Sequence, residues 1–190
     1  IDNYLYTGDN SLNKHHLTII PAKPLQNSTM TETNSSEGGY LNTKLKKSVL
    51  PNVLSMYISP VFGNHVLNYK TLLTDSVDTT ISSSAGVGMN GAANHWEWVQ
   101  SQLDLMSEVN VFGYSNISSS WYDTGIDSSQ YAIFELKPEF KYEYKGERFK
   151  YWLKNVSTTS SFVVVHPYGN LYPNLGFSGE NGVRPRFLIG

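Results

Sequence analysis

Three short runs of strand character close the chain: "FKYWLKNV" (149–156), "SFVVVHPYG" (161–169) and "GVRPRFLIG" (182–190). Runs of this length, rich in Val, Phe, Tyr and Trp and bounded by Gly, Pro, Asn and Ser, predict β-strands. Successive strands joined by short links pair antiparallel, so the last third of the chain is committed to sheet. The link before the third run, "HPYGNLYPNLGFSGENG" (166–182), has no hydrophobic period. Its Tyr, Asn, Gly, Pro and Ser suit contacts with another molecule, and they equally suit an ordinary long loop whose Asn and Gly serve turns. Composition alone leaves both readings open.

The first third is different. Leu17 to Ile20 predict a short buried strand that stops at Pro21, and "NSTMTETNSSEGG" (27–39) predicts a loop. Leu41, Leu45 and Val49, then Val53, Met56 and Tyr57, fall at helical spacing, with Pro51 expected to split the helix in two. Lys44, Lys46 and Lys47 are expected on its wet face. "HVLNYKTLL" has strand character, and the small-residue stretch near 76–95 reads as a surface insertion or the tip of a hairpin. Trp96, Trp98, Leu103 and Leu105 alternate, predicting a strand that runs into "SEVNVFG". "YAIFELKPEF" (131–140) predicts a short extended segment, and Tyr142, Tyr144 and Gly146 a ribbon turn. One helical region followed by antiparallel strands is α+β, and 190 residues suit a single domain spanning 1–190.

The chain has no Cys, which excludes disulfides and Cys-bound zinc. Lys+Arg number 14 against 16 Asp+Glu, so no strong field points to nucleic acid. No apolar run approaches the roughly 20 residues of a membrane-spanning helix, and no membrane insertion is expected. The start, "IDNYLYTGDN", lacks an initiator Met and a basic leader, so the chain reads as a piece or a processed product of a longer protein. Low charge with many Tyr, Asn, Ser, Thr and Gly fits an extracellular or virion binding protein better than a cytosolic enzyme.

Residues suited to catalysis or metal binding are scattered. His15 and His16 are neighbours and point to opposite faces of a strand, so they do not share a metal. There is no G-x-S-x-G elbow and no phosphate-cradling G-x-x-x-x-G-K-[ST]. Asp123, Asp127, Glu135 and Glu139 are carboxylates by type only, and "DTGIDSS" (123–129) lacks the calcium-loop pattern. No enzyme activity, metal or cofactor is expected. Glycosylation triplets stand at Asn27, Asn34, Asn116 and Asn155. Arg184, between Val183 and Pro185, is expected to be structural, with an internal carboxylate or carbonyl partner.

"YWLKNV", "SFVVVHPYGN" and the closing "NGVRPRFLIG" resemble a bacterial and phage domain family with a Y-W-L-R-x-V strand, a variable stretch around a Gly, and a terminal G-V-R-P-x-F. Upstream blocks such as "TGDNSLNKHHLTIIP", "FGNHVLNYKTLLT" and "QYAIFELKPEF" look like that family's longer members. Lys154 stands where Arg is common in it. The family is similar to the C-type-lectin fold, in the branch of formylglycine-generating enzyme and retroelement-diversified variable proteins. The catalytic cysteines of that branch and the calcium motifs of true C-type lectins are absent. The resemblance implies a rigid scaffold in which the closing strand pairs with a ribbon of variable residues. Asn155, Ser157, Ser161, His166, Tyr168, Asn170, Tyr172, Asn174 and Ser178 would then form a displayed ligand-binding face. It implies a homo-oligomer on a phage particle or bacterial surface, recognising a host-surface protein or glycan. The alternative is a structural virion part, a capsid decoration or fibre domain, in which the same face contacts other virion subunits.

Overall fold

The computed structural model describes residues 16–78, 80, 92–117, 129–177 and 179–190. The early strands are β1 (Leu17–Ile19), β2 (Gln26–Ser28), β3 (Tyr69–Val77), β4 (Ala93–Ser101) and β5 (Asp104–Leu105). Later come β6 (Glu143–Tyr144), β7 (Glu147–Arg148), β8 (Tyr151–Val156), β9 (Ser161–Val165), β10 (Leu171–Leu175), β11 (Asn181–Val183) and β12 (Pro185–Ile189). The central sheet has the order β10-β9-β8-β11-β2; a smaller one has β1-β12-β5; β3–β4 and β6–β7 are separate hairpins. The fold is α+β, with more residues in strands than in helices.

The central sheet is covered on both faces. Side chains alternate along a strand, and β8 and β9 send large apolar side chains to both faces. Trp152, Phe162 and Val164 enter one core with Met30, Leu45, Leu50, Leu73 and Phe187. Tyr151, Leu153, Val163 and Val165 enter the other with Met106, Val111, Phe134 and Phe149. Trp152 is fully buried, and its indole Nε1 donates to the Ser28 carbonyl at 2.8 Å, which ties β8 to β2.

Several local expectations are corrected. Pro51 does not split the helix, which runs through residues 45–62. Two wide turns, Leu45–Val49 and Leu54–Ile58, alternate with α-helical turns Leu50–Val53 and Ser59–Phe62. The Leu50 amide donates to the Leu45 carbonyl and the Ser59 amide to the Leu54 carbonyl, five residues back. Each wide turn directly precedes the turn that carries Pro51 or Pro60. Widening makes room where the proline ring would collide with a carbonyl four residues back. The extra residue per wide turn rotates the apolar stripe, so Ile58 is buried while Met56 and Tyr57 are exposed.

"SEVNVFG" is also a helix, Glu108–Phe112. Ser107 and Asn110 cap it reciprocally and Gly113 ends it in the left-handed region at φ 84°. "YAIFELKP" forms helix Ala132–Leu136 instead of an extended segment. Gln26–Ser28, placed in a loop by its polarity, is the strand β2 at the sheet's edge, and Met30 beside it is fully buried. Leu17–Ile19 does form a strand, paired with β12, although Leu17 faces outward. Lys46 leaves the expected wet face and pairs with the fully buried Asp104 at 2.6 Å. The ribbon turn at Lys145–Gly146 joins β6 to β7 as expected.

Arg184 sits between β11 and β12 and is 3% exposed. Its Nε donates to the Pro21 carbonyl (2.9 Å) and its Nη1 to those of Phe140 (2.7 Å) and Lys141 (3.4 Å). The rings of Phe134, Phe149 and Tyr151 lie 5.0–5.4 Å from the guanidinium carbon. One side chain thus joins the segment after β1, the turn after the second short helix and the closing strands. Arg184→Ala should lower stability by about 2–5 kcal/mol, measured by urea unfolding. An unchanged midpoint would contradict this.

Burial pushes the Tyr151 hydroxyl up to about 12, with the Arg184 charge beside it pulling the other way. An unfolded Tyr ionises near 10. Between those values the unfolded state has lost the proton and the folded state keeps it, so stability falls as pH rises. The loss attributable to Tyr151 should reach about 2–3 kcal/mol by pH 12. Tyr151→Phe should remove that share of the alkaline decline while leaving neutral-pH stability nearly unchanged; identical pH profiles for the two proteins would contradict it.

Candidate functional site

The β9–β10 hairpin turns at His166–Asn170. The His166 amide donates to the Asn170 carbonyl and the Gly169 amide to the His166 carbonyl, both at 2.8 Å. Gly169 has φ 83°, and a Cβ there would lie 2.7 Å from the Tyr142 ring, so the tip rests its backbone on that ring. The close approach anchors the turn without using its outward side chains. Tyr168 is 76% and Tyr172 54% exposed, with the half-buried His166 ring between them at centroid distances of 5.0 Å and 6.4 Å. Asn170 is exposed at the same turn, and Asn174 is half-buried further along β10.

The stretch that lacked periodicity is therefore a strand with a tip. Pro173 within it fits an edge position, since an edge strand tolerates a missing amide donor. Of the nine residues expected on a displayed face, Tyr168, Asn170 and Tyr172 are exposed together, with His166 and Asn174 partly accessible.

Asn155, Ser157 and Ser161 are buried, which corrects the expectation that they project outward. They lie at the opposite end of the hairpin, where the second cover of the sheet closes over β8. Asn155 is 3% exposed and accepts from the Glu108 amide at 2.8 Å. Ser157 and Ser161 are held by the turn between β8 and β9, where the Ser157 amide donates to the Ser161 carbonyl at 2.9 Å. Burial also removes Asn155 as a glycosylation acceptor in the folded protein, whereas Asn27, Asn34 and Asn116 are exposed. Ser178, Asp123, Asp127 and His15 lie outside the described residues. The closing strand β11 pairs with β8 and β2.

A polar cleft of about 700 Å³ opens beyond the other end of β10. Thr31, Thr33, Glu37, Asn42, Lys44 and Lys47 are among its lining residues. The amides of Met30 and Thr31 both donate to the Gly176 carbonyl (2.8 and 3.0 Å), which fastens the cleft wall to the end of β10. Gly39 (φ 62°) lies against β3; a Cβ there would come within 2.4 Å of the Thr74 carbonyl oxygen. Sequence reasoning saw a loop here and no site, although paired glycines directly before a helix were a signal of close packing. Among the described residues, no three His, Asp or Glu side chains come together as a metal ion needs, and no helix is long and apolar enough to cross a membrane.

Comparison with known proteins finds no matching family model, curated protein or solved structure.

If the tip is surface and the sheet is scaffold, substitutions should divide cleanly. Tyr168→Ala and Tyr172→Ala should each stay within about ±0.5 kcal/mol of wild type in unfolding experiments. Trp152→Ala should cost about 3–5 kcal/mol. An early-melting Tyr168 or Tyr172 variant would make the tip part of the core.

Proposed function

We propose that this chain is a non-enzymatic recognition domain, on a C-type-lectin-like scaffold, displayed on a phage particle or bacterial surface. It binds a host-surface protein or glycan through His166, Tyr168, Asn170, Tyr172 and Asn174. The observation that carries this reading is the pair of exposed tyrosines on a backbone-anchored turn. Tyr offers a large amphipathic contact surface with few rotatable bonds, and Asn adds adaptable hydrogen bonding. Anchoring the turn in advance reduces the ordering cost of binding. The same residue types are those sampled by adenine-directed diversification, which is the form of variation the resemblance suggests for these positions.

A second reading is a structural virion part. It is favoured by the exposure of Tyr172 on the edge strand of the central sheet and of Phe177 just beyond its end, a place suited to the packing of a neighbouring subunit.

A glycan array and a host-lysate capture, each run with wild type and with the Tyr168→Ala/Tyr172→Ala double variant, test the proposal. A specific ligand should be found whose binding the folded double variant weakens by about 2 kcal/mol or more. Undiminished binding by that variant would move the site elsewhere. A particle reconstruction with this face buried between subunits would favour the second reading.

A further inference from the structure

Arg184 also lines a second, smaller cavity of about 310 Å³. Its lining is otherwise dominated by Ile20, Ile133, Phe134 and Phe140, with Thr18 as another polar member. Two features of this apolar cavity are unusual. The first is the guanidinium itself. Nε and Nη1 are taken up by the carbonyls of Pro21, Phe140 and Lys141, and the Tyr151 hydroxyl lies beside the guanidinium, so every neighbour is a neutral group. No carboxylate among the described residues pairs with Arg184. The second is the Thr18 hydroxyl, which is buried and has no hydrogen-bond partner among the described residues.

Buried charges are ordinarily paired, and buried donors ordinarily have acceptors. Carbonyl dipoles and ring faces compensate the Arg184 charge only in part. A carboxylate supplies the missing unit of negative charge, and its planar oxygens match a guanidinium edge. The apolar walls disfavour strongly hydrated ligands such as phosphates and sugars, which would leave polar groups unpaired there. At roughly 30 Å³ per water-sized group, the cavity holds about ten non-hydrogen atoms.

We propose that this cavity binds a small monocarboxylate with an apolar body. The carboxylate lies on the Arg184 guanidinium, and the body packs against Ile20, Ile133, Phe134 and Phe140. This site is separate from the hairpin tip, and its fate does not depend on the recognition reading.

The test uses octanoate and phenylacetate as probes, with octanamide and phenylacetamide as neutral counterparts of the same shape. Calorimetry and backbone amide shifts follow titration into the intact chain. One or both acids should bind saturably at one site, with a Kd on the order of 0.1–1 mM for a ligand of this size. The amides should bind roughly tenfold or more weakly, and the largest shifts should fall at Ile20, Ile133 and Phe140. Because Arg184→Ala also removes a structural anchor, Ile133→Trp serves as the site variant. Ile133 is an exposed position on a short surface helix, and the larger ring fills the cavity mouth. This variant should keep the wild-type amide spectrum elsewhere and lose binding. Absence of saturation with both acids, equal affinity for acid and amide, or wild-type affinity in folded Ile133→Trp would each overturn the proposal.

Discussion

Burial of the central sheet on both faces is the constraint from which the rest of this structure follows. A sheet open on one side leaves alternate residues free for function. Here β8 and β9 are buried at every position, so none of their side chains is free. Each large apolar side chain placed there contributes about 1.5–3 kcal/mol by leaving water. Polar groups on those strands must then find partners inside, as the Trp152 indole does at Ser28 and Asn155 does at the Glu108 amide. What remains available for recognition lies where the cover ends: the tip of the β9–β10 hairpin and the outer edge of β10.

Arg184 and Lys46 are two of the cations that connect the layers. Arg184 collects carbonyls from two distant segments under a set of aromatic rings. Lys46 reaches from the long helix to Asp104 and also donates to the Ser101 hydroxyl, so the helix is held against β5. Pairs of this kind add little net stability over an apolar replacement, but losing one partner strands the other in a dry interior. They therefore fix which segments meet more than they set how tightly the whole holds.

The strands β8, β9 and β12, the β3–β4 hairpin and the β6–β7 turn were legible, because alternating β-branched and aromatic residues between turn residues leave few other options. A structural Arg184 with an internal carboxylate or carbonyl partner was legible from its place between Val183 and Pro185, and the structure supplies carbonyls. The helix through Pro51 was not, because the wide turns that accommodate proline have no simple sequence signature. "SEVNVFG" did carry a cap at each end, but the alternation of Trp96 and Trp98 upstream suggested a continued strand. β2 was hidden because "QNS" is polar and its pairing is dictated by β11, some 155 positions away in the chain by its register of Gly182 with Asn27. Asn155, Ser157 and Ser161 were misjudged for a related reason. Asn155 is met by the amide of Glu108 and the Ser157–Ser161 turn by Ala92 and Ser36, and nothing within these residues announces such distant partners.

The division between the buried strands β8 and β9 and the exposed tip and edge strand is measured most directly by tyrosine nitration of the native protein, quantified residue by residue by mass spectrometry. Tyr168 and Tyr172 should react at rates close to those of the unfolded chain, while Tyr40, Tyr131 and Tyr151 should stay protected until the domain unfolds. Protection of Tyr168 and Tyr172 equal to that of Tyr151 would contradict the account.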